Sequence, residues 1–188
     1  MSSEMRSYEL KKRAETVAAT RERIVEATMK LHEEVGPART TVAAIAARAG
    51  VSRPTVYNQF PDDLSLLSAC SALFRGLNPA PALAGLSLED AFLAQYGFYA
   101  ANDQMLAHIW RDAEVLPALA AVFEPVRRQL RVAAKELVRP LGRRGARSTR
   151  AIAFATLAFE LPTWKSLRRS GLDDVAAARL MAALVREV

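Results

Sequence analysis

The sequence predicts an all-α protein, because helix-forming residues are abundant throughout and no segment alternates apolar with polar residues as a half-buried strand does. The chain has 188 residues, which is enough for a substantial core, and 51% of them are hydrophobic. The stretch Gly-Leu-Asn-Pro-Ala-Pro at residues 76–81 is rich in helix breakers and marks the clearest boundary along the chain. We expect helices on both sides of it.

Apolar spacing and capping residues predict four helices before this boundary. The first is expected at about 20–35, where apolar residues recur every three or four positions until Gly36 and Pro37 stop it. Gly50 is expected to end the second helix in a tight turn. The expected N-cap residues of the second, third and fourth helices are Thr41, Ser52 and Asp62.

Five further helices are expected after the boundary. Ser87, followed by Asp90 three residues later, resembles a capping box that opens a helix through Asn102. Pro117 and Pro125 lack a backbone donor and are therefore placed in first turns. The remaining helices are expected at about 103–113, 125–139, 148–170 and 173–188.

The segment at about 41–60 has the spacing that a helix-turn-helix requires. Ala46 is small where two crossing helices would touch, and Gly50 can adopt the positive φ of the turn. Val51 and Val56 supply apolar bulk between the two helices. An ordinary helical hairpin is the alternative explanation of this spacing. The helix-turn-helix is favoured, since Tyr57 and Phe60 also stand where that motif has them.

A helix-turn-helix of this kind predicts that the third helix enters the major groove of DNA. Arg53 is suited to donate to guanine, and Asn58 to pair with a base edge or a phosphate. The Thr55 methyl group and the Pro54 ring are suited to contact thymine methyl groups.

Other polar groups around the motif suit the DNA backbone, since hydroxyl groups that bond phosphate or sugar fix the register without reading sequence. Thr41 and Tyr57 are assigned this role. The complete set of residues predicted to contact DNA is Thr41, Ser52, Arg53, Pro54, Thr55, Tyr57 and Asn58.

Residues 23–67 resemble the tetracycline-repressor (TetR) family of transcription regulators. The matching pieces are Arg-Ile-x-x-Ala at 23–27, Thr-Val-x-x-Ile-Ala-x-x-Ala-Gly-Val-Ser at 41–52, Thr-Val-Tyr-x-x-Phe at 55–60 and Leu-Leu at 66–67. The resemblance implies a three-helix DNA-binding domain with an N-terminal arm at 1–62, followed by a helical ligand-binding and dimerisation domain at 63–188. It also implies a homodimeric repressor that binds a palindromic double-stranded DNA operator and is released by a small apolar molecule.

One residue departs from the family pattern. Asp63 stands where the family usually has a Lys that contacts phosphate. Residues 1–63 contain ten Lys and Arg against nine Asp and Glu, so most of the net charge of +6 lies elsewhere. We expect the missing phosphate contact to be replaced from the arm or the first helix, by some of Arg6, Lys11, Lys12, Arg13, Arg21 and Arg23.

The second half of the chain offers candidates for an effector site and a dimer interface. Core packing is the favoured explanation of any single aromatic residue there. For Tyr96, Trp110 and Phe154 an apolar effector pocket explains the residues about equally well, and we assign these three to the pocket. The basic run between residues 127 and 150 is interpreted as a solvated face, with an anionic ligand or extra DNA contact as the alternative. The apolar faces of the two C-terminal helices are expected to pair with their copies in a homodimer.

Several function classes are not expected. His32 and His108 have no neighbouring Cys in the sequence, so no metal site is predicted, and no common catalytic motif or cofactor signature is present. The single Cys70 and the lack of an apolar leader or 20-residue span favour a cytoplasmic protein without a membrane anchor. Two alternatives remain open: a ligand-binding or enzymatic helical protein with a vestigial DNA head, and an adaptor that binds another protein.

Overall fold

The computed structural model describes the backbone of residues 3–188 and the side chains of residues 7–188. Over this range the chain forms ten α-helices and two short 3-10 helices, at Pro37–Arg39 and Arg139–Leu141, and no strand. The prediction of an all-α protein is confirmed. The α-helices are α1 (Ser3–Val35), α2 (Val42–Ala49), α3 (Arg53–Gln59), α4 (Asp63–Leu77), α5 (Leu88–Ala101), α6 (Asp103–Asp112), α7 (Pro117–Val138), α8 (Gly145–Ala158), α9 (Leu161–Arg169) and α10 (Asp174–Glu187).

Helix α1 is longer than expected, with 33 residues that begin at Ser3. The expected start near Thr20 followed the onset of apolar periodicity, and residues 7–19 are all exposed, so no apolar stripe marks their helix. They contain neither Gly nor Pro and are rich in good helix formers. The expected N-terminal arm is therefore a helical extension of α1 over its described residues.

The chain divides into two compact units. The first comprises the described residues through Asn78 together with Asp112–Val122. Here α1 packs against α2 and α4, and α2 packs against α3. The shared core contains Ile24, Val25, Ala27, Leu31, Ile45, Ala46, Ala49, Val56, Phe60, Leu66 and Cys70.

Two buried polar residues join distant parts of the first unit. The buried carboxylate of Asp112 accepts a hydrogen bond from the Ala38 backbone N–H at 2.8 Å, which holds the connection between α1 and α2. Its charge also acts on the buried imidazole of His32 near the end of α1. Burial lowers the pKa of His32 to about 4, and the Asp112 carboxylate partly opposes this shift.

The second unit comprises Pro79–Arg111 and Phe123–Val188. In it α10 packs against α5 and α8. Alanines at the contact face of α10 allow close approach, and the aromatic rings of Phe92, Tyr96 and Phe159 fill the space around them. The unit therefore has its own core.

Two predicted helix boundaries in this part of the chain were wrong, and both lie at prolines. The helix expected at 148–170 is broken into α8 and α9, because Pro162 lacks an N–H and its ring would clash with a preceding turn. Pro125 was placed in a first turn but lies inside α7, which starts at Pro117. Pro117 does occupy the first turn, as expected.

Candidate nucleic-acid interface

The turn between α2 and α3 has the geometry that the sequence predicts. Thr41 caps α2 by accepting a hydrogen bond from the Ala44 N–H at 3.2 Å. Gly50 ends α2 with φ 66° and ψ 40°, in the left-handed region where a side chain is strained. The Val51 N–H then donates to the Ala46 carbonyl at 3.0 Å, which closes the turn. The two helices are thus fixed relative to each other by backbone geometry.

Helix α3 has one face in the core and one in solvent. Val56 is only 1% exposed, and Phe60, directly after the helix, is also buried. Tyr57 is 56% exposed, and Arg53, Pro54 and Asn58 are exposed as well. Four of the seven predicted DNA contacts therefore share the solvent face of one helix.

Ser52 and Thr55 are engaged with each other at the start of α3. The Ser52 hydroxyl accepts from the Thr55 N–H at 3.2 Å and lies 2.8 Å from the Thr55 hydroxyl. Ser52 is exposed, whereas Thr55 is half-buried. Since its hydroxyl is already paired, Thr55 offers mainly its methyl group to a partner. Thr41 is exposed at the start of α2.

An arginine of α1 fastens the far end of α3. The Arg21 guanidinium donates to the Gln59 carbonyl at 2.5 Å and lies over the Phe60 ring, 3.9 Å from its centroid. A cation over an aromatic ring is attractive, and the carbonyl bond satisfies an acceptor at the end of the helix. From the sequence alone, Arg21 is expected only as a phosphate contact. The structure gives it a positioning role, and no local sequence signal indicates this long-range pairing.

An ion pair between Arg48 and Glu34 joins helix α2 to α1. Both Arg48 amino groups donate to the Glu34 carboxylate, at 2.6 and 2.7 Å. This two-bond arrangement holds the pKa of Glu34 below its usual value and raises that of Arg48. The pair is exposed, so we assign it a role in orientation and little net stability.

The acidic start of α4 lies on the surface of the same unit. The Asp62 carboxylate caps α4 by accepting from the Ser65 N–H at 2.7 Å, and Asp63 occupies the first turn. Both residues are exposed, and both suit the positive end of the helix. Asp62 thus has a structural role that is independent of any nucleic acid.

The basic residues expected to reach phosphate are distributed along α1. Lys11, Lys12 and Arg13 are exposed on its N-terminal extension. Arg23 is exposed and lies within 3.5 Å of the Thr20 hydroxyl. The side chain of Arg6 lies outside the described residues. The exposed cations of this segment are carried by a helix rather than by an extended arm.

The three residues assigned to an effector pocket have different surroundings. Tyr96 is fully buried, and its hydroxyl donates to the Ala158 carbonyl at 3.0 Å. Its ring contacts Phe92 and Tyr99, whereas Trp110 contacts Phe123 and the Arg127 guanidinium. Tyr96 and Trp110 therefore belong to separate aromatic clusters. Phe154 is half-buried on α8.

The apolar faces of the C-terminal helices are only partly covered within the chain. Phe159 and Trp164 are buried in the second unit. Leu157 on α8 is 50% exposed, Leu180 on α10 is 41% exposed, and Val175 on α10 is also exposed. Exposed leucines on two helices that pack together leave an apolar surface in solvent.

Three further observations concern thiol reactivity, metal binding and membrane insertion in the described part of the chain. Burial raises the pKa of the Cys70 thiol to about 12, so the thiol stays protonated and inert near neutral pH. Among residues 3–188, the structure brings together no group of three potential metal ligands. Within the same range, no helix is long and apolar enough to span a bilayer.

Part of the first unit is similar in sequence to known bacterial regulatory proteins. Residues 24–70 match the sequence model of bacterial regulatory proteins of the tetR family. HTH-type transcriptional regulators of Mycobacterium tuberculosis and Mycobacterium bovis, both uncharacterised, are 46% identical over 52 residues. That match covers 28% of this chain and spans 28% of the length of those relatives.

Solved structures extend the likeness to the fold of most of the chain. A transcriptional regulator from Rhodococcus sp. RHA1 aligns with a TM-score of 0.60 and 19% identity, over 89% of this chain and 95% of that one. A tetR-family transcriptional regulator from Streptomyces coelicolor aligns with a TM-score of 0.56 and 22% identity, over 89% and 78% of the two chains. Each of the matching proteins named above is a transcriptional regulator.

Proposed function

We propose that the chain is a regulatory protein of the tetR family, since residues 24–70 match the model of that family, and that it is a homodimeric, ligand-responsive repressor. It binds a palindromic operator in double-stranded DNA through α3. A small, largely apolar molecule binds the second unit and releases the protein from the operator. The protein acts in the cytoplasm, where its operator is accessible.

The observation that carries the proposal is the solvent face of α3. Arg53, Pro54, Tyr57 and Asn58 are exposed on a helix that is held by the buried Val56. A rigid helix that presents an arginine and an amide can read base edges in the major groove, since such groups make paired hydrogen bonds with guanine and adenine. Arg53 is assigned to guanine, and Asn58 to a base edge or phosphate.

The neighbouring residues complete the proposed interface. The methyl group of the half-buried Thr55 and the exposed Pro54 ring are assigned to thymine methyl groups. Thr41, Ser52 and Tyr57 are exposed, and we assign their hydroxyls to the DNA backbone. The cations of the α1 extension supply phosphate contacts in place of the one that Asp63 does not provide, which predicts modest non-specific affinity.

A gel-shift titration on DNA from upstream of the gene tests this assignment. Arg53→Ala should lose affinity for the operator and retain affinity for unrelated DNA, because a base contact contributes only at the matching sequence. Arg75→Ala is the matched control, since Arg75 is an exposed arginine of α4 in the same unit and bonds the Ser71 hydroxyl. An equal loss on all sequences would remove the base-reading role of Arg53.

The homodimer is proposed to form through α8 and α10. Leu157 and Leu180 expose apolar surface that a second copy would cover, and two such pairs of helices make a four-helix bundle. Leu157→Glu should convert the dimer to monomer in light scattering. Val132→Glu introduces the same charge at an exposed position of α7 and should leave the dimer intact. Monomeric wild-type protein at micromolar concentration would contradict the proposed interface.

A further inference from the structure

Arg127 on α7 is in an unusual environment for an arginine. Its Nε atom is buried and has no hydrogen-bond partner among the described residues. A buried donor without a partner is costly, and more so on a charged group, so native proteins rarely leave one unless a ligand, ion or water completes it. Arg127 belongs to the second unit, whereas every residue assigned to DNA belongs to the first.

The Arg127 guanidinium lies over an aromatic ring. The Arg127 Cζ atom lies 4.9 Å from the centroid of the Trp110 ring, and the Phe123 ring meets Trp110 edge-on with centroids 6.5 Å apart. These three residues, Trp110, Phe123 and Arg127, form what we call the Arg127 cluster. A guanidinium that lies over an aromatic ring and has an unpaired Nε–H donor is suited to a ligand that is itself part charged and part apolar.

Two carboxyl groups, those of Glu124 and Glu160, lie within electrostatic reach of Arg127, whose charge lowers the pKa of each. Arg131, one turn further along α7, already pairs with Glu124 at 2.5 Å. Glu160 at the start of α9 is half-buried, and burial raises the pKa of its carboxyl group, although Arg127 and Arg131 lower it in part. Burial makes the ionised form of this carboxyl group less favourable, so Glu160 is a poor permanent partner for a guanidinium.

Resting on the effector response proposed above, we propose that the Arg127 cluster binds the carboxylate end of an aromatic organic acid. The carboxylate accepts hydrogen bonds from the Nε–H and one amino group of Arg127, the forked geometry that guanidinium and carboxylate groups share. The apolar body of the acid packs against Trp110 and Phe123. The effector is thereby a largely apolar molecule that carries one carboxylate.

Calorimetric titration with benzoate and with its neutral counterpart benzamide tests the proposal. The two probes have the same ring and nearly the same shape, so their difference isolates the carboxylate. We expect the wild-type protein to bind benzoate at least about tenfold more tightly than benzamide, because hydrogen bonds to charged groups are the stronger ones. Arg127→Gln should abolish this preference.

Matched variants separate the site from general charge and from folding. Arg128→Gln removes an exposed charge from the neighbouring position of α7 and should keep the preference for benzoate. Arg127→Met removes the charge and every donor while it keeps the apolar stem, and it should lose the preference with an unchanged helical circular dichroism spectrum. Absence of benzoate binding at millimolar concentration, equal affinity for both probes, or equal losses in Arg127→Gln and Arg128→Gln would overturn the proposal.

A gel shift distinguishes failure of this site from failure of the proposed function. Arg127→Gln should bind the operator as the wild type does and should no longer respond to benzoate. If neither protein binds an operator while wild type still prefers benzoate, the repressor function is wrong and the anion site stands. If both bind the operator and neither prefers benzoate, the anion site is wrong and the DNA-binding function stands.

Discussion

Acid should destabilise this protein through His32, in a pH range where few other side chains change charge. His32 is 6% exposed, and burial lowers the pKa of its imidazole from 6.5 to about 4, against a smaller opposing effect of the Asp112 carboxylate. Because the pKa in the folded protein lies below that in the unfolded chain, the unfolded chain takes up a proton first as pH falls. The stabilising effect is complete above pH 6.5 and is lost as pH falls toward 4.

The size of the effect follows from the two pKa values. The full shift corresponds to about 3 kcal/mol of unfolding free energy, of which about 2 kcal/mol is lost between pH 7 and pH 5. Urea unfolding followed by circular dichroism at several pH values in this interval measures it.

Variants at the two histidines decide whether His32 is the cause. His32→Gln cannot titrate, so its unfolding free energy should fall by clearly less than that of wild type over the same interval. His108→Gln is the control, because His108 is more exposed and should leave the wild-type slope unchanged. The reasoning is refuted if His32→Gln keeps the full pH slope.

Three further predictions concern two glycines, Arg21 and Cys70. Gly50→Ala should destabilise the protein by about 1 kcal/mol in urea unfolding. Gly50 has φ +66° with open space around it, so the cost is backbone strain alone. Gly97→Ala lies in mid-helix with equally open space and should stabilise the protein by about 0.5–1 kcal/mol in the same assay. Arg21→Ala should weaken operator binding in gel shifts, because Arg21 positions α3 through Gln59 and Phe60. The dependence of the binding constant on salt concentration should not change. A weaker salt dependence would instead indicate that Arg21 contacts a phosphate. Cys70 should stay unmodified by a thiol reagent in the folded protein and react fully in urea, because burial raises the pKa of its thiol to about 12; rapid native labelling would contradict this.

The parts of the fold that depend on local chemistry could be predicted from the sequence. Thr41, Ser52 and Asp62 cap the helices that they were expected to cap, and Gly50 adopts the expected positive φ. These features involve residues within four positions of one another, so the sequence contains all the information that they need. The exposed face of α3 follows from the same local pattern, since Val56 and Phe60 fix which side is buried.

The features that the sequence did not predict depend on residues far apart in the chain, or belong to a helix that lacks an apolar stripe. The pairing of Arg21 with Phe60 and that of Asp112 with Ala38 join segments far apart in the chain, and no periodicity indicates them. The first turns of α1 are exposed on every side and so lack an apolar stripe. The helix break at Pro162 could have been predicted from the sequence, because a proline inside an expected helix normally ends or kinks it.

The central claim, that α3 reads a palindromic operator, is tested most directly by selecting binding sites from a random library of DNA duplexes with the purified protein. We expect enriched sites with two inverted half-sites whose centres are separated by one helical turn, about 34 Å, or by a multiple of it. Arg53→Ala should relax the preference at one symmetric pair of positions. Failure of the wild-type protein to enrich any sequence at low salt would contradict the proposed role of α3.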